Sequence, residues 1–159
     1  MRKRVLIAIG VVAVLLAGLA WAASRVSLSA LDAPGPIETA VATRAKRWLV
    51  ARAARAEVVP APGPQTVAAG GMRYRGLCAS CHGNDGRTPT VIGRAMYPRA
   101  VDLGAARVQS WSDRELFWIV KHGIRLSGMP GFGTTLADDE IGALVAYVRT
   151  IPDTSDASH

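Results

Sequence analysis

The chain opens on an uninterrupted apolar block and turns amphipathic afterwards. Arg2, Lys3 and Arg4 precede nineteen uncharged residues, Val5 to Ala23, rich in Val, Leu, Ile and Ala. At ~1.5 Å per residue this block predicts a helix of about 28 Å, close to the thickness of a bilayer's hydrocarbon core. Asp32, Pro34, Gly35 and Pro36 then form a turn-rich connector. Glu38 to Glu57 reads as a basic helix, with Val41, Ala45, Trp48, Leu49 and Arg52 at helical spacing and Arg44, Lys46, Arg47 and Arg55 around them. Pro60, Pro62, Gly63 and Pro64 end it as a stiff spacer. Gly71, Tyr74 and Cys78 share a helical face, with Gly70 beside them. Ser112-Asp113-Arg114-Glu115 is a capping box ahead of Leu116 to Val120 and marks a middle helix. Ile141, Leu144, Val145 and Val148 recur at i, i+3, i+4 and i+7 in a last helix, behind the acids Asp138, Asp139 and Glu140. No alternating strand and no internal repeat occurs, so the pattern predicts an all-α fold.

Composition narrows the class. Of 159 residues, 50% are hydrophobic and 19% charged, too apolar for a disordered chain. The net charge of +7 is unevenly placed: residues 70–151 hold ten basic and seven acidic groups. That surplus, with no Lys/Arg run interleaved with aromatics, argues against nucleic-acid binding. The basic triplet ahead of the apolar block leaves the N-terminus in the cytoplasm and exports the remainder of the chain. A cleaved signal peptide is the competing reading, with Ala20-Trp21-Ala22 as its small-x-small site. The block is longer than a signal h-region, which favours a retained single-pass anchor, and either reading exports the C-terminal domain. For the basic helix two readings stand: Trp48 and Leu49 pack on the domain, or the helix lies on anionic lipid headgroups. Its narrow apolar face favours the first.

The chemistry is concentrated in Cys78-Ala79-Ser80-Cys81-His82, which holds both cysteines of the chain. C-x-x-C-H is the haem c attachment signature. Two thiols one helical turn apart can each add to a vinyl group of one haem, and His82 then offers an imidazole nitrogen as proximal ligand. The other readings are weaker. A thioredoxin-like redox pair needs a βαβ setting. A disulfide across so short a loop does little for a fold. A zinc site lacks ligands, since only His122 and His159 remain as further histidines. For the distal position, Met129 lies in Ser127-Gly128-Met129-Pro130-Gly131-Phe132-Gly133, an irregular Gly/Pro-rich loop whose backbone can approach a ring closely. Met96 reads as a core or haem-wall residue, and Met72 sits in the helix leading into the cysteines. His122, just before Gly123, reads as a helix-end residue acting on the cap or the dipole.

Three blocks resemble class I cytochromes c, the small mono-haem electron carriers of exported compartments. They are Gly70 to Leu77 running into C-A-S-C-H-G, Trp118 to Ile124 running into Gly128-Met129-Pro130, and Asp139 through Arg149. The resemblance covers about Thr66 to Pro152 and implies a helical domain wrapped around one covalent haem c, with Cys78 and Cys81 as anchors and His82 and Met129 as axial ligands. It implies a crossing of the first and last helices, with Gly70 or Gly71 meeting Leu144 and Tyr147. Where family members often carry a serine cap this chain has Ala137, which leaves Asp138 as the alternative cap. The organisation expected is an anchor over 1–24, a stalk over 25–65, the cytochrome domain over 66–152 and a flexible tail over 153–159. A carbonyl near Pro89 or Pro98 is expected to orient His82, and Trp111, Arg125 and Tyr97 are candidates for propionate contact. The function implied is one-electron transfer between redox partner proteins of a respiratory chain. The haem domain is then periplasmic on a single-pass inner-membrane anchor, working as a free carrier or as the electron-transfer subunit of an oxidase or dehydrogenase complex. A haem enzyme or gas sensor with a displaceable distal ligand is the alternative.

Overall fold

The computed structural model describes residues 2–25, 27, 29–61 and 66–151. The chain divides into two compact units, Met1–Asp32 and Ala33–His159. Part of the spacer (Pro62 to Pro64) and the tail expected over 153–159 lie outside the described residues.

The first unit is one helix, α1 (Arg2–Ala23), exposed along its described length. It takes in the whole apolar block and is long and apolar enough to cross a membrane.

The second unit is helical, with no strand among the described residues. Its helices are α2 (Pro36–Ala53), continued by a 3₁₀ turn (Ala54–Ala56), then α3 (Thr66–Leu77), α4 (Ala79–His82), α5 (Val91–Ala95), α6 (Ala106–Gln109), α7 (Asp113–His122) and α8 (Asp138–Arg149). Pro36 stands in the first turn of α2, where its missing N–H costs nothing. The capping box of α7 is present: Ser112 Oγ accepts from the Glu115 N–H at 3.3 Å, and Glu115 Oε2 accepts from the Ser112 N–H at 2.8 Å. α8 has half of one. Ala137 is its cap residue, and the Glu140 carboxylate accepts the Ala137 N–H at 2.9 Å. Asp138 is not the cap, because its carboxylate pairs with Lys121 Nζ at 2.9 Å.

Close approach of α3 and α8 rests on two glycines. A β-carbon at Gly70 would run into the Ala143 carbonyl, and one at Gly71 would meet the Tyr147 ring at 3.0 Å. Tyr147 is thus met as expected, whereas Ala143, not Leu144, faces Gly70. Leu144 instead joins Tyr74 and Ala79 in a buried cluster. Arg73 of α3 pairs with Glu140 of α8 across the same seam.

A larger core gathers Val50, Val108, Trp111, Leu116, Phe117, Ile141, Val145 and Val148. Val50 brings α2 into it, and Ala54 is buried as well. Trp48 and Leu49, expected to make that contact, are 63% and 55% exposed. The helix is turned so that its inner side carries Val50 and Arg47. The Arg47 guanidinium covers the Trp111 ring at 4.4 Å and donates to the Arg107 carbonyl and Ser110 Oγ. A shallow surface recess lies beside this packing, bordered by Ala51, Ala54, Arg55, Ser112, Arg114 and Glu115.

Candidate haem site

α3 runs almost directly into the cysteine motif. The Cys78 N–H donates to the Tyr74 carbonyl at 2.8 Å, and the Cys81 and His82 N–H groups return to the Cys78 carbonyl at 3.1 and 2.9 Å. One helical turn thus carries both thiols and the imidazole. It ends at Gly83, whose φ of +81° is open to glycine, and a β-carbon there would also strike the Thr88 carbonyl. The fully buried Tyr74 hydroxyl donates to the Gly83 carbonyl at 2.7 Å and pins this turn, and burial pushes its pKa up. On the other flank Thr90 Oγ1 donates to the Ser80 carbonyl at 2.7 Å, and Gly93 of α5 lies against the Cys81 carbonyl.

Both cysteines are free and half-buried. Burial, then the neighbouring Cys81, pushes the Cys78 thiol up to about 11, so at neutral pH it is S–H. His82 is held from behind, with Nδ1 2.9 Å from the Val101 carbonyl oxygen. Against a carbonyl that nitrogen must carry the proton, which leaves the lone pair on Nε2. The orienting carbonyl is therefore that of Val101, three residues past Pro98. The Pro89 carbonyl accepts from Arg94 instead.

Met129 lies in the loop between α7 and α8 and is half-buried. This loop folds back on the end of α7: Phe132 and Gly133 donate to the Val120 and Lys121 carbonyls at 3.0 and 2.8 Å. Within it, Met129 N–H donates to Ser127 Oγ at 3.2 Å, and the Met129 carbonyl accepts from Ile124. Gly123, with φ +70°, makes the fold-back possible, since a β-carbon there would press on Pro130 and Gly131. Met96 is half-buried with its thioether against Gly128, next to Met129. The segment from Met96 to Val101 therefore touches the Met129 loop at one end and His82 at the other.

Two of the propionate candidates, Trp111 and Tyr97, have partners within the chain. Trp111 is buried under Arg47, the Tyr97 hydroxyl donates to Glu38, and Arg125 is exposed. His122 closes α7, stacks on Trp118 with centroids 5.0 Å apart and bonds Glu57 at 2.8 Å through Nε2. Lys121 reaches the same Glu57 at 3.3 Å. Nothing local in the sequence marks Glu57, because its partners stand sixty-four and sixty-five positions away.

The residues present fit a covalent haem. Two thiols and a correctly tautomeric imidazole share one turn, and Leu103, Val120 and Leu136 pack against both cores yet remain half-exposed. Half-exposed apolar side chains beside such a donor set suit a large flat apolar group. Zinc has no comparable support, since no three His, Cys, Asp or Glu converge among the described residues.

Fold and motif together define a c-type cytochrome. Residues 65–148 match the family described as cytochrome c oxidase, cbb3-type, subunit III, and the chain belongs to that family. Among solved structures it is similar to the KustC0563 c-type cytochrome, with 31% identity, 52% of this chain and 96% of that one covered, and a TM-score of 0.47. It is also similar to a chain of the Kuenenia stuttgartiensis reducing HAO-like protein complex Kustc0457/Kustc0458, with 23% identity, 60% and 47% covered, and a TM-score of 0.49. A third is cytochrome CL of the marine methylotroph Methylophaga aminisulfidivorans, with 24% identity, 56% and 55% covered, and a TM-score of 0.45. The chain spans about half the length of the latter two. No curated protein matches it.

Proposed function

We propose that this c-type cytochrome is a membrane-tethered, His/Met-ligated one-electron carrier. Cys78 and Cys81 hold haem c through thioether bonds, His82 Nε2 is the proximal ligand and the Met129 thioether the distal one. When bound, the haem supplies a one-electron couple, and a closed His/Met coordination favours a high potential. The chain's own residues orient and insulate. The Val101 carbonyl fixes the tautomer and rotation of His82. The folded-back loop carries Met129, and the half-buried apolar side chains of Leu103, Val120 and Leu136 keep water away. The Nδ1–carbonyl contact of His82 is the single observation that supports the ligand reading, because it leaves the lone pair of the other nitrogen available to a metal.

Retention of α1 as a single-pass anchor, with the basic Arg2, Lys3 and Arg4 on the cytoplasmic side, places the haem domain in the periplasm. There it exchanges electrons with respiratory-chain proteins, and the description of its family favours work beside or within an oxidase complex.

Carbon monoxide added to the reduced protein tests this reading. A closed site leaves the low-spin spectrum unchanged, whereas rapid saturable binding identifies a sensor or enzyme. Met129→Ala is expected to open the sixth position to carbon monoxide and lower the potential, and an unaltered low-spin spectrum in that variant would overturn the assignment of Met129.

A further inference from the structure

α2 has two apolar sides, and only one of them meets the protein. Val50, with Arg47 and the following Ala54, marks the inner side. At about 100° per residue, Ile37, Val41, Trp48 and Arg52 fall on the opposite side, with Leu49 next to them. The four apolar residues are exposed, at 79% for Ile37, 62% for Val41, 63% for Trp48 and 55% for Leu49. Arg44, Arg52 and Arg55 stand among and beside them, and the Arg52 guanidinium lies 5.9 Å from the Trp48 ring. Glu38, the acid of this helix, is taken up by the Tyr97 hydroxyl.

We infer that this outer face of α2 is a membrane-surface site that takes anionic phospholipid headgroups, with Trp48 and Leu49 at the level of the headgroup–acyl boundary. Three observations select lipid as the occupant. A tryptophan and aliphatic side chains flanked by arginines make up the composition of an interfacial helix face. Its guanidinium charge complements phosphodiester headgroups, which Arg engages through paired N–H donors. The thirteen Cα–Cα steps from Ala23 to Pro36 reach at most about 47 Å, so a bilayer that holds α1 is within reach of α2. That last point rests on the anchor reading proposed above.

The test uses the full-length haem-loaded protein in vesicles of phosphatidylethanolamine with a minority of phosphatidylglycerol, their acyl chains brominated near the headgroup. Trp48 emission is taken as the difference between the protein and its Trp48→Phe variant, a change at an exposed site. It should fall roughly two-fold in brominated vesicles and recover when phosphatidylglycerol is left out or when Arg44→Glu and Arg52→Glu are combined. Trp21, inside α1, reports separately through Trp21→Phe. Quenching of Trp21 with Trp48 untouched by the brominated lipid and open to aqueous iodide would overturn the lipid site and leave the anchor standing. Quenching of neither would overturn both. Quenching of Trp48 without dependence on phosphatidylglycerol or on the two arginines would overturn the headgroup recognition.

Discussion

The thioether of Met96 rests against Gly128, so closely that a β-carbon at 128 would overlap it. Gly128 therefore does more than loosen its loop: it gives Met96 a seat beside the residue proposed as distal ligand. Gly128→Ala should cost little, under about 1 kcal/mol, because the atoms in the way are the flexible end of Met96, which can shift aside. Met96→Ala removes a half-buried side chain and destabilises by a different route. In the double variant the new methyl group occupies space that Met96 has vacated, so the two losses should combine to less than their sum. Urea unfolding of the four proteins, followed by circular dichroism, measures this coupling, and strict additivity would show that the contact carries no energy.

Tyr74 ties the haem-binding turn to the core. Its buried hydroxyl donates to the Gly83 carbonyl directly after His82. Tyr74→Phe keeps the ring and its contact with Tyr147, 5.1 Å between centroids, but leaves that carbonyl with the Gly86 N–H, at 3.2 Å, as its remaining donor. A loss of about 0.5–1.5 kcal/mol is expected for one hydrogen bond to an acceptor that keeps its second donor. It should appear as a lower urea midpoint with an unchanged slope, since the folded surface stays the same.

Much of this architecture can be read from the chain because the relevant signals are local. Ser112 and Glu115 announce a helix start, Val5 to Ala23 an apolar helix, and Cys78 to His82 a chemistry that depends on one turn. The features that sequence does not carry are set by tertiary packing. A backbone carbonyl has no side-chain signature, so Val101 as the partner of His82 could not be told from its neighbours. Trp48 and Leu49 are the larger apolar residues of α2, yet Val50 and Ala54 are buried, because the small side chains let the helix lie close to α7 while Arg47 caps Trp111. Glu57 becomes visible only when that packing brings it to Lys121 and His122.

Two glycines of α3 should respond to alanine with opposite signs. Gly70 faces the Ala143 carbonyl, which belongs to a helix backbone and cannot yield. Gly70→Ala should therefore separate α3 from α8 and cost about 1–3 kcal/mol or more. Gly76 has open space where its β-carbon would stand. Gly76→Ala should stabilise by about 0.5–1 kcal/mol through helix propensity. Thermal melts of the two variants give the answer, and a stabilised Gly70→Ala would contradict the described crossing of α3 and α8.

Acid should weaken the fold partly through Asp85, three residues beyond His82. Its carboxylate accepts from the Thr88 and Arg87 N–H groups at 2.9 Å each and from Thr88 Oγ1 at 2.8 Å. These bonds, the Thr88 N–H first, hold its pKa down at about 2, against an ordinary value of 3.8. Because the folded value lies below the unfolded one, the ionised carboxylate contributes its full stability above the ordinary value. That contribution fades as the pH falls from there and is gone below about 2. Glu140, lowered by the Ala137 N–H and then by Arg73, acts in the same direction. Asp85→Asn should therefore be less stable than the parent at neutral pH, and the gap should close as the pH approaches about 2. Guanidinium midpoints of both proteins across that range decide it: a gap that stays constant with pH would assign the effect of Asp85 to packing or amide geometry instead of to its charge.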